Sequence, residues 1–288
     1  MSQNNLDVTA EIKRIQTKIV EVCARHPLPV GIPSKSIQTK MEGAYAENVT
    51  ALDIAISAEL LEHTRAVLPQ SYSEEDLPRT PRTDEYFWQI DPIDGTDELI
   101  HGLTQYCGVS ATLLQRTEKE NYDPVGGILY LPIADTMVIG NKSDASVTIL
   151  MSGKNVPIPA YDATSVRGPV RTMDPNERLP DYYEALGKSL KLPAYSIEGG
   201  AAVYSFVSLI MGELNVVCLN YDYAKEWDTS AAQVILELLG GFLCDLDGAP
   251  ITYNRTDHFN RRGHIASICF SKEQLIPAIT KELFISRL

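Results

Sequence analysis

The stretch FWQIDPIDGTDELIHG, residues 87–102, ends an apolar run on two carboxylates three residues apart, Asp91 and Asp94, and follows them at once with Gly95 and Thr96. Pro92 restricts the backbone between the acids, and the chain from Thr96 onward reads as a helix whose first amide N–H groups have no intrahelical partner. A strand ending at Ile90 would deliver Asp91 at its tip and leave Asp94 beside that helix N-terminus. Carboxylate oxygens suit magnesium, whose sites combine one or two carboxylates with waters and substrate phosphate. Helix N-termini favour phosphate through their N–H groups and dipole. The same residues also fit a plain turn at Asp91 and a helix cap at Asp94.

Three further acidic spots invite the same reading, each with a plainer alternative. Asp53 stands three residues after Thr50, the spacing of a capping box. Glu74 and Glu75, in SYSEED, are equally compatible with solvated loop charges. Asp228, in KEWDTSAA, precedes the helical run TSAAQVILELLGG and fits its N-cap, with Gly240 and Gly241 ending the helix.

The elements that must position these acids follow from periodicity. Leu6, Val8, Ile12, Ile15, Ile19 and Val22 have helical spacing and end before Pro27; VTALDIAISAELLEHTRAVLP gives a second helix with Thr50 as N-cap and Pro69 as its stop. A loop rich in Gly, Ser and Pro separates the two. QYCGVSATLLQR reads as a strand, and PVGGILYLPIADTMVIG as two strands around the PIAD turn, so antiparallel pairing is expected. Turn-formers thicken between Gly140 and Pro159, which places a boundary between an N-terminal α+β sub-domain, 1–150, carrying most of the acids, and a C-terminal sub-domain, 151–288, carrying Asp228. Beyond it come helices in DYYEALGKSL and AAVYSFVSLIMG, a buried strand in ELNVVCL, the helix after Asp228, and closing strands in GFLCDL and GHIASICF. Helices and strands mixed with hairpins predict a layered α+β fold.

SYSEED, DPIDGT and WDTSAA, in this order, with VTALD upstream and Gly-Gly after the last helix, resemble the magnesium-dependent, lithium-sensitive phosphatases of the inositol monophosphatase superfamily. The resemblance runs from about Val49 to Ser267. It implies an αβαβα layered sandwich of the inositol monophosphatase and sugar phosphatase type, with the active site between two sub-domains. By the same resemblance Glu74, Asp91, Asp94 and Asp228 are side-chain metal ligands, joined by the Ile93 carbonyl, for two or three Mg2+ ions, with Li+ inhibitory. Asp53 and Thr96 become the pair that orients and helps deprotonate the attacking water, with Glu74 also in the catalytic set. Gly95 and Thr96 offer N–H groups to the phosphate, Gly199 and Gly200 of EGGAAVY contact the substrate, and Glu75 holds a metal-bound water. A homodimer is a further family-based expectation.

The implied chemistry explains the number of acids. Two metal ions roughly 3.5–4 Å apart serve both ends of an in-line displacement and bring a water pKa toward about 7, so neither a histidine base nor a covalent nucleophile is required. A net charge of −13, from 38 acidic against 25 basic residues, disfavours a nucleic acid polymer or an anionic membrane as partner; a small phosphorylated metabolite is compatible if metal supplies the positive charge. With 44% apolar and 8% aromatic residues the composition is that of an ordinary soluble globular protein. MSQNNLDVTAEIKRIQ lacks the features of a signal peptide, and no apolar run reaches ~18 residues, so a cytoplasmic location is expected. Five scattered cysteines without a C-x-x-C pair fit reduced thiols. DLDGAP, residues 245–250, resembles the D-x-D-G motif of haloacid-dehalogenase phosphatases, but only 43 residues follow Asp245, and a polar turn is the better reading. The histidines show no zinc spacing, and neither a cysteine-phosphatase loop, a P-loop nor G-x-S-x-G is present.

For the substrate, DGAPITYNRTDHFNRRGHIAS resembles the ending of 3'(2'),5'-bisphosphate nucleotidases more than that of inositol monophosphatases. AKEWD places Lys225 near Asp228, as an enzyme handling a second phosphate would. Arg167, Arg171 and Arg255 are further candidates for that phosphate, with solvated surface charge as the alternative. Against this stand Asp97 and Glu98 where many bacterial bisphosphate nucleotidases have Lys-Glu, VRTMDP without their Arg-Ser-His, and EGGAAVY, closer to the inositol enzymes. Adenosine 3',5'-bisphosphate is therefore the first expectation. Inositol phosphates, cleaved as by an inositol monophosphatase or an inositol polyphosphate 1-phosphatase, come second, and fructose 1,6-bisphosphate third. The alternative of another class is a non-catalytic metal-dependent binding or regulatory module, which would have no need of Asp53 and Thr96 beside intact ligands.

Overall fold

The computed structural model describes residues 6–32, 37–42, 45–78, 80–118, 121–161, 170–174, 187–188, 190–191, 194–198, 200–219 and 224–283. Helix α1 (Val8–Arg25) opens where the Asp7 carboxylate accepts the Ala10 N–H at 2.9 Å, and it buries the expected stripe of Ile12, Ile15, Ile19 and Val22. The Gly/Ser/Pro-rich stretch that reads as a loop instead contributes an antiparallel hairpin, β1 (Ile37–Glu42) and β2 (Tyr45–Thr50), whose register sets Lys40 opposite Glu47. Helix α2 (Ala51–Arg65) follows directly, with Thr50 as N-cap. The two helices cover one face of a seven-stranded sheet.

That sheet runs in chain order: β3 (Tyr72–Ser73), β4 (Tyr86–Asp94), β5 (Gly108–Arg116), β6 (Tyr122–Leu131), β7 (Thr136–Asn141), β8 (Ser146–Met151) and β9 (Lys154–Val156). β3 pairs parallel to β4, and every later pairing is antiparallel, as the hairpin signals predict. Helix α3 (Thr96–Ile100) leaves the end of β4. The turn-rich stretch 140–159 holds β8 and β9, so the large sheet continues through it.

In the second half, β10 (Val170–Asp174) and β11 (Ala194–Glu198) pair in parallel, an element not legible in the sequence. Helices α4 (Ala202–Ile210) and α5 (Glu226–Leu238) lie on the other face of the large sheet. There Phe206, Trp227 and Ile235 share one apolar cluster with Phe87, Leu129 and Val138 below and Val217, Leu243 and Ala266 above. The upper residues belong to a three-stranded antiparallel sheet, β12 (Val217–Leu219), β14 (His264–Ser267) and β13 (Phe242–Cys244), in that order. Its far face packs Cys218, Cys244 and Ile265 against Leu275 of α6 (Lys272–Leu283). Helices, sheet, helices, sheet, helix is the αβαβα order. Because helices cover both faces of the large sheet, all nine residues of β4 are buried, and the strand is a largely apolar run interrupted by Gln89 and its two acids.

The helix expected in DYYEALGKSL falls largely outside the described residues. None of the five cysteines forms a disulfide among the described residues, and four of them are buried. No helix among the described residues is long and apolar enough to cross a membrane.

Candidate active site

On a regular strand, residues three apart face opposite sides. Asp91 and Asp94 face the same cavity because β4 does not end at Ile90. It runs on through Asp94, and its register against β5 shifts between Asp91, paired with Ser110, and Asp94, paired with Gly108. Pro92, which has no N–H to give to a ladder, sits inside that irregularity. The Asp91 carboxylate accepts the Ile93 N–H at 3.1 Å.

Asp94 does not cap α3. The N-cap of that helix is Gly95, and the Asp94 carboxylate instead accepts the Val203 N–H at 2.5 Å, at the first turn of α4. Gly108 permits this approach, since a Cβ there would come within 2.4 Å of the Val203 side chain. Asp228 is not the N-cap of α5 either. It is the third helical residue, and its carboxylate accepts the N–H of the true N-cap, Lys225, at 2.7 Å. The Ser110 hydroxyl donates to the Trp227 carbonyl, and Ser230 hydrogen-bonds Thr112 and Gln89, which ties this end of α5 to β4 and β5. Glu74 extends the β3 pairing through its N–H to the Ile90 carbonyl, which brings it beside Asp91.

Glu74, Asp91, Asp94, Thr96 and Asp228 thus line one cavity of about 460 Å³. Single oxygens of Asp91, Asp94 and Asp228 lie within 4.8 Å of one another. Burial, reinforced by Glu74, Asp94 and Asp228, pushes the Asp91 carboxyl well above its usual range; burial and Asp228 do the same to Asp94. Asp228 is pushed up to about 7, chiefly by burial, against the pull of Lys225. Burial also raises Glu74, but Lys225 and Lys40 outweigh it and hold the group below its ordinary value. Hard oxygen donors forced together with too little positive charge between them fit a hard divalent cation.

Asp53 forms the capping box that its spacing from Thr50 suggests and also reaches Thr96. Its Oδ2 accepts from the Thr50 N–H at 2.8 Å and hydroxyl at 2.5 Å, completing the capping box of α2, while its Oδ1 accepts the Thr96 hydroxyl at 2.9 Å. It is buried behind Thr96 and meets the cavity only through that hydroxyl. Gly95, at the turn into α3, has φ +95°, and a Cβ there would lie 2.9 Å from that of Ala201. Gly95→Ala is therefore expected to lower stability by about 1–3 kcal/mol, read as a lower Tm in thermal unfolding.

Other expected residues fare differently. Gly200 lines the cavity, whereas Gly199 and Arg167 fall outside the described residues, as does the side chain of Arg171. Arg255 is not among the residues that line this cavity. Its guanidinium is spent on the buried Glu226 carboxylate at 2.9 Å and on Asn260 at 2.8 Å. The Lys225 ammonium lies 3.0 Å from Glu74 and pairs with Glu47. Glu75 holds Lys40 at 2.9 Å; burial, helped by Glu74, pushes its carboxyl up to about 7. Lys40 and Glu47 escaped the sequence reading because neither sits in a motif and only the β1–β2 register brings them to the site. DLDGAP is a turn: Asp245 accepts the N–H groups of Asp247 and Ala249.

The inositol monophosphatase family model matches residues 7–283. Over 219 residues the chain is 26% identical to the 3'(2'),5'-bisphosphate nucleotidase CysQ of Aggregatibacter actinomycetemcomitans, covering 73% of this chain and 77% of that protein. Among solved structures, an inositol monophosphatase/NADP phosphatase complexed with NADP and Ca2+ superposes with a TM-score of 0.72 at 16% identity, covering 96% of this chain and 97% of the other. A structure of an inositol monophosphatase/NADP phosphatase complexed with Mg2+ and phosphate gives 0.66 at 16% identity over 94% of each chain. The acids that converge on the cavity come from strands and helices spread over most of the length matched, and the chain belongs to the inositol monophosphatase family, as a metal-dependent phosphatase acting on small phosphorylated substrates.

Proposed function

We propose that this chain removes the 3'-phosphate of adenosine 3',5'-bisphosphate, consuming one water and releasing AMP and inorganic phosphate. The observation that carries the reading is the convergence of Glu74, Asp91, Asp94 and Asp228 on one cavity beside the Thr96–Asp53 hydrogen bond. The similarity to a bisphosphate nucleotidase over most of the chain supports this choice of ester.

Those four carboxylates and the Ile93 carbonyl would hold two or three Mg2+ ions, with Li+ as an inhibitor. When bound, the metal supplies Lewis acidity toward the phosphate oxygens and lowers the pKa of water. Thr96 Oγ1, whose proton points to Asp53 Oδ1, presents its lone pairs to the cavity and so orients the attacking water. As that water yields a proton to Thr96 Oγ1, the hydroxyl proton passes to Asp53, whose affinity for it is raised chiefly by burial. The N–H groups of Gly95 and Thr96, at the start of a helix with no side-chain cap among the described residues, receive the phosphate oxygens. Gly200 borders the rest of the ester. A cytoplasmic homodimer completes this reading.

Phosphate release is to be measured from adenosine 3',5'-bisphosphate, inositol 1-phosphate, inositol 1,4-bisphosphate and fructose 1,6-bisphosphate, each with and without Mg2+ and Li+. Adenosine 3',5'-bisphosphate should show the highest kcat/KM, by about tenfold or more over the others. A higher kcat/KM for an inositol phosphate would make that the substrate.

A further inference from the structure

Lys225 lines the cavity, but its ammonium is held among the acids. Its Nζ lies 3.0 Å from Glu74 Oε1 and is also paired with Glu47 Oε1, in a spot where the lysine side chain is 6% exposed and that of Glu47 5%. Two further contacts hold it there. Its backbone N–H is bound by the Asp228 carboxylate at 2.7 Å, and its ammonium sits 5.6 Å from the centre of the Trp227 ring. Lys40 reaches the same acids from the hairpin, at 2.9 Å from Glu75, 3.6 Å from Glu74 and 3.9 Å from Glu47.

A Glu74 oxygen that accepts from an ammonium is withdrawn from any other cation, and a fixed positive charge among these acids opposes the entry of a second. Yet the ammonium could not simply be released from Glu74, because a buried, unpaired charge is costly. Glu47 removes that obstacle. It lines the same cavity and is itself paired with Lys225, so the ammonium keeps a carboxylate partner if Glu74 turns elsewhere. We infer that Lys225 is a built-in competitor of the divalent cation for Glu74, retained by Glu47 when it yields, so that this lysine sets the metal concentration at which the site loads. The inference rests on the proposed role of Glu74 as a metal ligand.

Its consequences have opposite signs. Without metal the ammonium offsets buried carboxylates and stabilises the fold; toward metal it is an antagonist. The test is thermal unfolding of the full chain, stripped of metal and titrated with Mg2+, for the wild type, Lys225→Met, Lys225→Arg and Glu47→Gln. Lys225→Met should melt lower than wild type without metal and respond to Mg2+ with a midpoint about tenfold lower. Lys225→Arg, which keeps the charge, should stay within about threefold of the wild-type midpoint. Glu47→Gln, which removes the second carboxylate paired with the ammonium, should raise the midpoint about threefold or more. An unchanged or higher midpoint in Lys225→Met overturns the inference, as does a lower one in Glu47→Gln if the methionine variant fails to fold. A wild type whose melting ignores Mg2+ altogether overturns the metal reading itself and this inference with it, a result distinct from the other two.

Discussion

Replacing Asp94 by Asn should abolish phosphate release and the Mg2+-dependent rise in Tm, yet make the metal-free protein more stable. The loss in kcat should reach about 1,000-fold or more, the scale on which one preorganised electrostatic contact to a transition state is felt. The gain has a different origin. Burial and Asp228 hold the Asp94 carboxyl well above its usual range, so the folded chain at neutral pH must either bury its charge or take up a proton. That cost is absent below the group's unfolded-state pKa and grows as pH rises above it. Asparagine has no charge to bury and still offers an oxygen to the Val203 N–H, the contact that Asp94 makes at 2.5 Å. A rise of about 2 °C or more in metal-free Tm near pH 7 is expected, shrinking at acid pH. Activity near that of the wild type at saturating Mg2+ would remove Asp94 from the metal site.

Thr96→Ala is the second large effect and the cleaner probe of the water-activating pair. Asp53 cannot be replaced without touching the capping box of α2, since its Oδ2 accepts both the N–H and the hydroxyl of Thr50. Such a loss costs about 0.5–2 kcal/mol by itself and confounds the kinetics. Among the described residues the Thr96 hydroxyl has Asp53 Oδ1 at 2.9 Å and the Ile93 carbonyl at 3.2 Å as acceptors, so it is removed at a cost of about 1 kcal/mol in stability. The expected result is kcat lower by about 100-fold, with the Mg2+ midpoint in thermal unfolding unmoved and Thr96→Ser restoring most of the rate. An unaffected kcat would take Thr96 out of the proton path.

Some of the site is local enough to read from the chain. Thr50 and Asp53 are three residues apart, and the capping box they form depends on nothing else. Asp91 and Asp94 are equally visible, but not what they do: the sequence suggests a cap on the helix that follows, whereas Asp94 binds an N–H 109 residues away. The same holds for Lys225, whose ammonium meets a glutamate 151 residues earlier, and for Arg255, whose partner is the buried Glu226. The hairpin that delivers Lys40 and Glu47 left no clear periodicity, because IQTKME and YAENVT are mostly polar and read as a loop between two helices.

By itself, then, the sequence determined which acids are available, the amphipathic helices, the antiparallel hairpins of the large sheet, and a motif order sufficient to name the family. These depend on neighbours a few residues apart, where side-chain period, caps and turn residues act. Only the tertiary structure decided which carboxylates share a cavity, which helix start faces Asp94, and which cations stand among the acids. Those outcomes depend on the register shift in β4, on the absence of a Cβ at Gly108, and on the approach of α4, α5 and the hairpin to one strand end, none of which any short segment encodes.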